Sequence, residues 1–118
     1  MAETKTYKGG CHCGAVKYEV DLALETVNRC NCSHCAKKGF LLTFAPADAF
    51  RLLSGDDAQT EYRFNKKAIE HLFCATCGVQ SFGRGEMGGA KMVAINVRCL
   101  EGVDANALPV KEIDGKSF

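Results

Sequence analysis

The sequence predicts an all-β, mainly antiparallel domain with one or two short helical turns, and three observations predict it. Apolar and polar residues alternate over short runs, glycine, proline and aspartate clusters punctuate those runs, and the cysteines gather where the runs end. At 118 residues the chain has the length of a single domain, 1–118, with a modest core that bound metal would supplement.

Residues 4–8 form the first strand, followed by Gly9-Gly10-Cys11-His12-Cys13-Gly14, whose glycines permit the positive φ of a tight turn. In 15–20, Ala15, Lys17 and Glu19 face one way and Val16, Tyr18 and Val20 the other, which makes a hairpin with a cysteine pair at its tip. Residues 26–30 are a strand running into Cys30-Asn31-Cys32-Ser33-His34-Cys35. Ser33 caps a helical turn through Ala36, Lys37 and Lys38 that Gly39 ends.

The apolar run 40–45 reads as a buried strand ended by Pro46, 47–50 as a helical turn, and 50–53 as a strand stopped by Ser54-Gly55-Asp56-Asp57. Residues 60–64 alternate, 65–67 turn, and 68–73 return to deliver Cys74. A strand over 78–82 leaves Cys77 and enters 83–89. With four glycines in seven residues, that segment is expected to be a loop, either flexible or held close to another backbone.

Residues 90–100 are the longest strand, with Val93, Ile95, Val97 and Cys99 on one side and Met92, Ala94, Asn96 and Arg98 on the other. A helical turn over 104–108 capped by Asp104 and a strand over 110–113 complete a set of about nine strands.

Fifteen Lys+Arg against fourteen Asp+Glu leave a formal charge of +1, without the basic excess of a nucleic-acid binder, and tryptophan is absent. Seven thiolates holding two divalent ions would bring the charge to −2. The first six residues are polar and lack the apolar centre of a signal peptide. No run of about 18 apolar residues occurs, so the expected place is the cytoplasm, away from membranes. In that reducing compartment the eight cysteines, spaced C-x-C, C-x-C-x2-C and C-x2-C, read as metal ligands rather than a disulfide framework.

The ligand chemistry favours zinc, which takes four tetrahedral thiolates in a closed structural site and three protein ligands in an open, working one. Cys11 and Cys13 pair with Cys74 and Cys77 if the two turns that carry them face each other. Spacing alone also allows a four-cysteine site built from Cys30, Cys32, Cys35 and a cysteine of another pair. The plainer alternative is a second structural site closed by His34, His12, His71 or Cys99, although a residue adjacent to Cys35 is expected to point away from the metal. Cys99 reads as a small buried apolar residue in strand phase, and His71 as a partly exposed sheet residue. An open zinc with three thiolates carries a net −1, a weak Lewis acid better suited to holding a thiol as thiolate than to making hydroxide.

The runs Gly10-Cys11-His12-Cys13-Gly14-Ala15-Val16, Cys30-Asn31-Cys32-Ser33-His34-Cys35 and Phe73-Cys74-Ala75-Thr76-Cys77-Gly78 resemble the glutathione-dependent formaldehyde-activating enzymes, a family that includes the centromere protein V type domains. The segment 95–102 is similar to bacterial members. The resemblance implies a β-tent of small antiparallel sheets around a structural zinc on Cys11, Cys13, Cys74 and Cys77. It also implies a catalytic zinc on Cys30, Cys32 and Cys35, two ions per chain.

The implied reaction is that of a carbon-sulfur lyase, the reversible joining of glutathione and formaldehyde to S-hydroxymethylglutathione. The expected partners are therefore a small-molecule thiol and a small aldehyde. The cations Arg29, Lys37, Lys38, Arg63, Lys66, Lys67 and Arg84 read individually as solvated surface. The competing class is a non-catalytic, zinc-stabilised protein-binding module, using a sheet face or the 83–89 segment; an open second zinc that exchanges ligands with thiols separates the two.

Overall fold

The computed structural model describes residues 3–62, 70–87 and 89–114, and places them in two mostly antiparallel sheets. Strands β1 (Lys5–Gly10), β2 (Lys17–Leu22) and β5 (Phe50–Ser54) form a three-stranded sheet in the order β1-β2-β5. The other strands are β3 (Val27–Cys30), β4 (Leu42–Pro46), β6 (Gln59–Tyr62), β7 (Glu70–Cys74), β8 (Phe82–Met87), β9 (Ala90–Asn96) and β10 (Val110–Ile113). They make a seven-stranded sheet in the order β10-β3-β4-β9-β8-β7-β6. Only the β10–β3 pair is parallel among the described residues. Among the described residues one helix, α1 (Ser33–Lys38), and short 3-10 turns complete the architecture, and none of them is long and apolar enough to cross a membrane.

The β2 alternation holds as read: Val16, Tyr18, Val20 and Leu22 are buried while Lys17 is exposed. Phe82 and Ile95 of the larger sheet meet that face, and the sheets are joined by Tyr18, Phe50 and Phe82. The Phe50 and Phe82 centroids lie 4.7 Å apart, and Tyr18 meets Phe82 edge-on at 5.6 Å. Such contacts add about 0.5–1.5 kcal/mol per pair beyond area burial. The Tyr18 hydroxyl donates to the Ser81 carbonyl at 3.1 Å, so its polar end is satisfied inside the core. Gly9 lies opposite Tyr18 in the β1–β2 register, and a Cβ there would stand 2.6 Å from the tyrosine ring and hydroxyl.

Four expectations are corrected. The glycine-rich 83–89 segment is not a loop: its residues up to Met87 are strand β8, paired with β9 from Phe82↔Ile95 to Met87↔Ala90. Phe82, Arg84 and Glu86 carry the side chains of one face, while Gly83 lets the Glu70 carbonyl of β7 approach to 3.0 Å of where a Cβ would sit. The expected 78–82 strand begins only at Phe82. The turn after Cys74 takes up the backbone groups before it, through Gly78 N–H to Cys74 O at 2.9 Å and Cys74 N–H to Val79 O at 3.1 Å.

The expected 90–100 strand stops at Asn96, whose side chain accepts from the Arg98 N–H at 3.1 Å and starts a 3-10 turn, Val97–Cys99. The described residues hold ten strands, in keeping with the expected number, and the 65–67 turn falls outside them. Finally, α1 is capped by Cys32 instead of Ser33, its sulfur accepting from the Cys35 N–H, while Gly39 ends the helix in the left-handed region at φ 70° as expected.

Candidate metal centre

The β1–β2 hairpin closes through Cys11 N–H to Val16 O at 3.1 Å, which holds Cys11 and Cys13 at its tip. Gly10 makes this closure possible, because a Cβ there would come within 2.2 Å of the Val16 carbonyl. The Val16 N–H points back to the Cys11 sulfur at 3.3 Å. At the end of β7 the next turn aims two N–H groups, from Thr76 and Cys77, at the Cys74 sulfur at 3.4 and 3.5 Å. The two turns face each other, so the sulfurs of Cys11, Cys13, Cys74 and Cys77 all lie within 4.8 Å of one another.

Cys11 and Cys13 Sγ are 3.7 Å apart, and Cys13 and Cys74 Sγ 3.6 Å. A tetrahedron of thiolates about 2.3 Å from a zinc ion has edges of about 3.8 Å, so these spacings suit a shared metal and are far too long for a disulfide. The electrostatics agree. Backbone donation from Val79 and Cys13 brings the Cys77 thiol down to about 6. Donation from Cys77 and Thr76 also lowers Cys74. The Ala15 N–H pulls Cys13 down, but the neighbouring sulfurs outweigh it and push that thiol up to about 11. Four thiols this close ionise together only with a cation among them.

Cys30, Cys32 and Cys35 form the second group, their sulfurs also mutually within 4.8 Å. Cys30 ends β3, Cys32 caps α1 and Cys35 lies in its first turn; the Asn31 N–H bonds the Ile113 carbonyl at 3.0 Å and ties the loop to β10. Burial pushes the Cys32 thiol up, but donation from the Cys35 N–H and the flanking thiols reverses this and leaves it lowered. Cys35 is buried and its thiol is raised by that burial and by Cys32. The donor set again fits a soft divalent cation, and the geometry separates the trio from the four-cysteine group. Among the described residues no histidine or carboxylate joins either group.

The histidines lie elsewhere. His12 is exposed at the hairpin tip. The His34 ring stacks on Tyr62 at 5.7 Å and 21° and stands 4.2 Å from the His71 ring. His71 is buried at 8% exposure, against the expectation of partial exposure, with its Nδ1 3.4 Å from the Gln80 amide nitrogen. Burial, then the charges of His34 and Lys38, bring His71 down to about 4; burial, then Lys38, lower His34. The strand phase that suggested exposure is overridden because α1 packs its His34 ring over this side of β7.

Cys99 is half-buried in its 3-10 turn instead of in a strand, its thiol 4.0 Å from the Gln80 carbonyl and pushed up to about 11 by burial and by Cys11 and Cys77.

A pocket of about 420 Å³ lies against α1, lined by Ser33, His34, Lys37, Lys38, Tyr62 and Phe73, with none of the three cysteines in its wall. Tyr62 and Phe73 carried no signal in the sequence beyond strand alternation, because only the folding of β6 and β7 beside α1 brings them there. Of the cations read as solvated surface, Arg29 pairs with Glu112, Lys37 and Lys38 line this pocket, and Arg84 lies over the Phe82 ring at 5.3 Å. Arg63, Lys66 and Lys67 lie outside the described residues.

The family pattern described as glutathione-dependent formaldehyde-activating enzyme matches residues 6–114. A relative from Phaeosphaeria nodorum, carried under the provisional name glutathione-dependent formaldehyde-activating enzyme, is 34% identical over 87 residues, which are 66% of this chain and 45% of that protein. The chain thus spans about half the length of this curated relative. The crystal structure of a Rhodobacter sphaeroides protein superposes with a TM-score of 0.78 at 33% identity, covering 88% of this chain and 99% of that one.

Proposed function

Because the chain belongs to the glutathione-dependent formaldehyde-activating enzyme family, we propose that it is a carbon-sulfur lyase with two zinc ions, joining and separating a thiol and a small aldehyde. In the family reaction the glutathione sulfur forms a bond to the formaldehyde carbon, and the thiol proton ends on the former carbonyl oxygen, giving S-hydroxymethylglutathione. Residues 1–118 act as one domain in this reading. A reducing, cytoplasmic setting suits its eight free thiols.

The observation that carries the proposal is a three-sulfur cluster on the loop that enters α1, separate from a four-sulfur cluster. Cys11, Cys13, Cys74 and Cys77 hold the structural ion, and Cys30, Cys32 and Cys35 the working one. A zinc ion held there by Cys30, Cys32 and Cys35 would supply Lewis-acid chemistry that favours an incoming thiol as its thiolate. The chain's own contribution is orientation: the Cys35 N–H holds the Cys32 sulfur, and β10 holds the loop through Asn31.

Exchange NMR on an equilibrium mixture of glutathione, formaldehyde and S-hydroxymethylglutathione tests the reading. The zinc-loaded protein should speed interconversion above the spontaneous rate, and Cys32→Ser should not. Loaded protein that leaves the exchange rate at its spontaneous value would instead indicate a zinc-stabilised binding domain.

A further inference from the structure

We propose that β10 clamps the three-cysteine site, with Glu112 and Asp114 as positioning residues that fix Cys30 and so keep that site's ion in place. This rests on the reading of Cys30, Cys32 and Cys35 as the holders of a second ion. The trio has two separate supports. Cys32 and Cys35 belong to the cap and first turn of α1, joined by the bond from the Cys35 N–H to the Cys32 sulfur at 3.3 Å. Cys30 lies outside that helix, at the end of β3, and takes its position from the neighbours of that strand. β3 meets β4 at one register position, Asn28↔Leu42, but meets β10 at four, the last of them Ile113↔Cys30. β10 therefore does more than the rest of the sheet to place the first ligand of the trio.

Side chains reinforce the ladder on either side of Cys30. Arg29 donates from Nε to Glu112 Oε1 at 2.9 Å and from Nη2 to the same carboxylate. The Asn31 N–H donates to the Ile113 carbonyl at 3.0 Å, and Asn31 Nδ2 to Asp114 Oδ1, also at 3.0 Å. Arg29, Cys30 and Asn31 thus face Glu112, Ile113 and Asp114 in order, with Cys30 on the middle rung. β10 is an end strand of its sheet, and Val110, Lys111 and Glu112 are exposed, so its docking depends on these rungs more than on buried apolar surface. Elements held in this way open locally without unfolding the core. A zinc–sulfur distance of about 2.3 Å leaves little tolerance for a displaced ligand. The four-sulfur cluster takes no ligand from β3, α1 or β10, so loosening β10 should act on one ion and not on the other.

Release of zinc from the loaded protein to excess pyridylazoresorcinol, followed by absorbance, tests the clamp. Cys32→Ser identifies the trio's ion as the phase it lacks. In E112A/D114A that phase should quicken about tenfold, the low end of the affinity lost when an outer partner of a metal ligand is removed. The phase of the four-sulfur cluster should keep its parent rate and the melting midpoint should stay within a few degrees. E112Q/D114N removes the same two charges but keeps acceptors for Arg29 and Asn31, and should release both ions at close to parent rates. A trio phase unchanged in E112A/D114A overturns the inference, as does equal quickening of both phases. Equal quickening of the trio phase in E112Q/D114N also overturns it, because the effect would then be one of charge. A parent protein that holds a single ion removes the two-ion reading and the clamp together. Selective release without any acceleration of thiol–aldehyde exchange would leave the clamp standing and remove the enzymatic reading alone.

Discussion

The sulfur of Cys13 stands 3.6 Å from that of Cys74, sixty-one positions further along the chain. A metal held there cross-links the β1–β2 hairpin to the end of β7. By the loop-closure argument used for disulfides, a link of that span restricts the unfolded chain by about 4 kcal/mol. Cys74→Ser should therefore lower the metal content by one ion per chain and bring down the thermal midpoint by well over 10 °C, a large part of a small domain's stability. Elemental analysis beside a circular dichroism melt checks both; a full metal complement with an unchanged midpoint would break the link between this site and the fold.

Cys32→Ser should behave differently. Serine is itself a favoured helix cap, so the bond to the Cys35 N–H that starts α1 is replaced. The expected result is loss of one metal ion with a midpoint within a few degrees of the parent, and loss of any catalysed exchange. Unfolding comparable to that of Cys74→Ser would show the trio to be structural.

His71 makes stability depend on acid. Its folded value lies near 4, below the ordinary 6.5, because burial disfavours the imidazolium. The unfolded chain then binds the extra proton first as pH falls. The contribution is fully present above pH 6.5, declines between 6.5 and 4, and is spent below 4. His71→Asn, which can still meet the Gln80 amide, should remove this slope relative to the parent in urea melts across that range, while acid release of metal affects both proteins alike. Parallel slopes would mean that His71 is protonated in the folded protein.

Gly9→Ala tests the joint between the sheets. The new Cβ would stand 2.6 Å from the Tyr18 ring, and Tyr18 cannot withdraw without losing its bond to the Ser81 carbonyl and its packing on Phe82. Overpacking of this kind costs about 1–3 kcal/mol. The melting midpoint should fall by several degrees with the metal content unchanged; a neutral substitution would show that the tyrosine has room to move.

Local pattern carried much of the fold. The alternation around Val16, Tyr18 and Val20, the stop at Gly39 and the cap at Asp104 all appear where the sequence places them, because each depends on neighbours within a turn or a strand. The errors fall where distant pairing overrides local preference. Gly83 and Gly85 read as loop, yet β7 and β9 supply ladder partners on both sides of β8. Cys99 read as the continuation of a strand, yet Asn96 turns the chain by capping its own backbone.

By itself the sequence determined the β class, the family and the clustering of cysteines into three short runs. Thiol spacing and strand period are local properties that survive without coordinates. Only the tertiary structure decided that two of those runs share one cluster, that His71 is buried under His34, and that Lys37, Lys38, Tyr62 and Phe73 surround one pocket. These relations join residues from separate strands and a helix, and they come from the packing of α1 and the sheets against one another, which no single stretch of chain encodes.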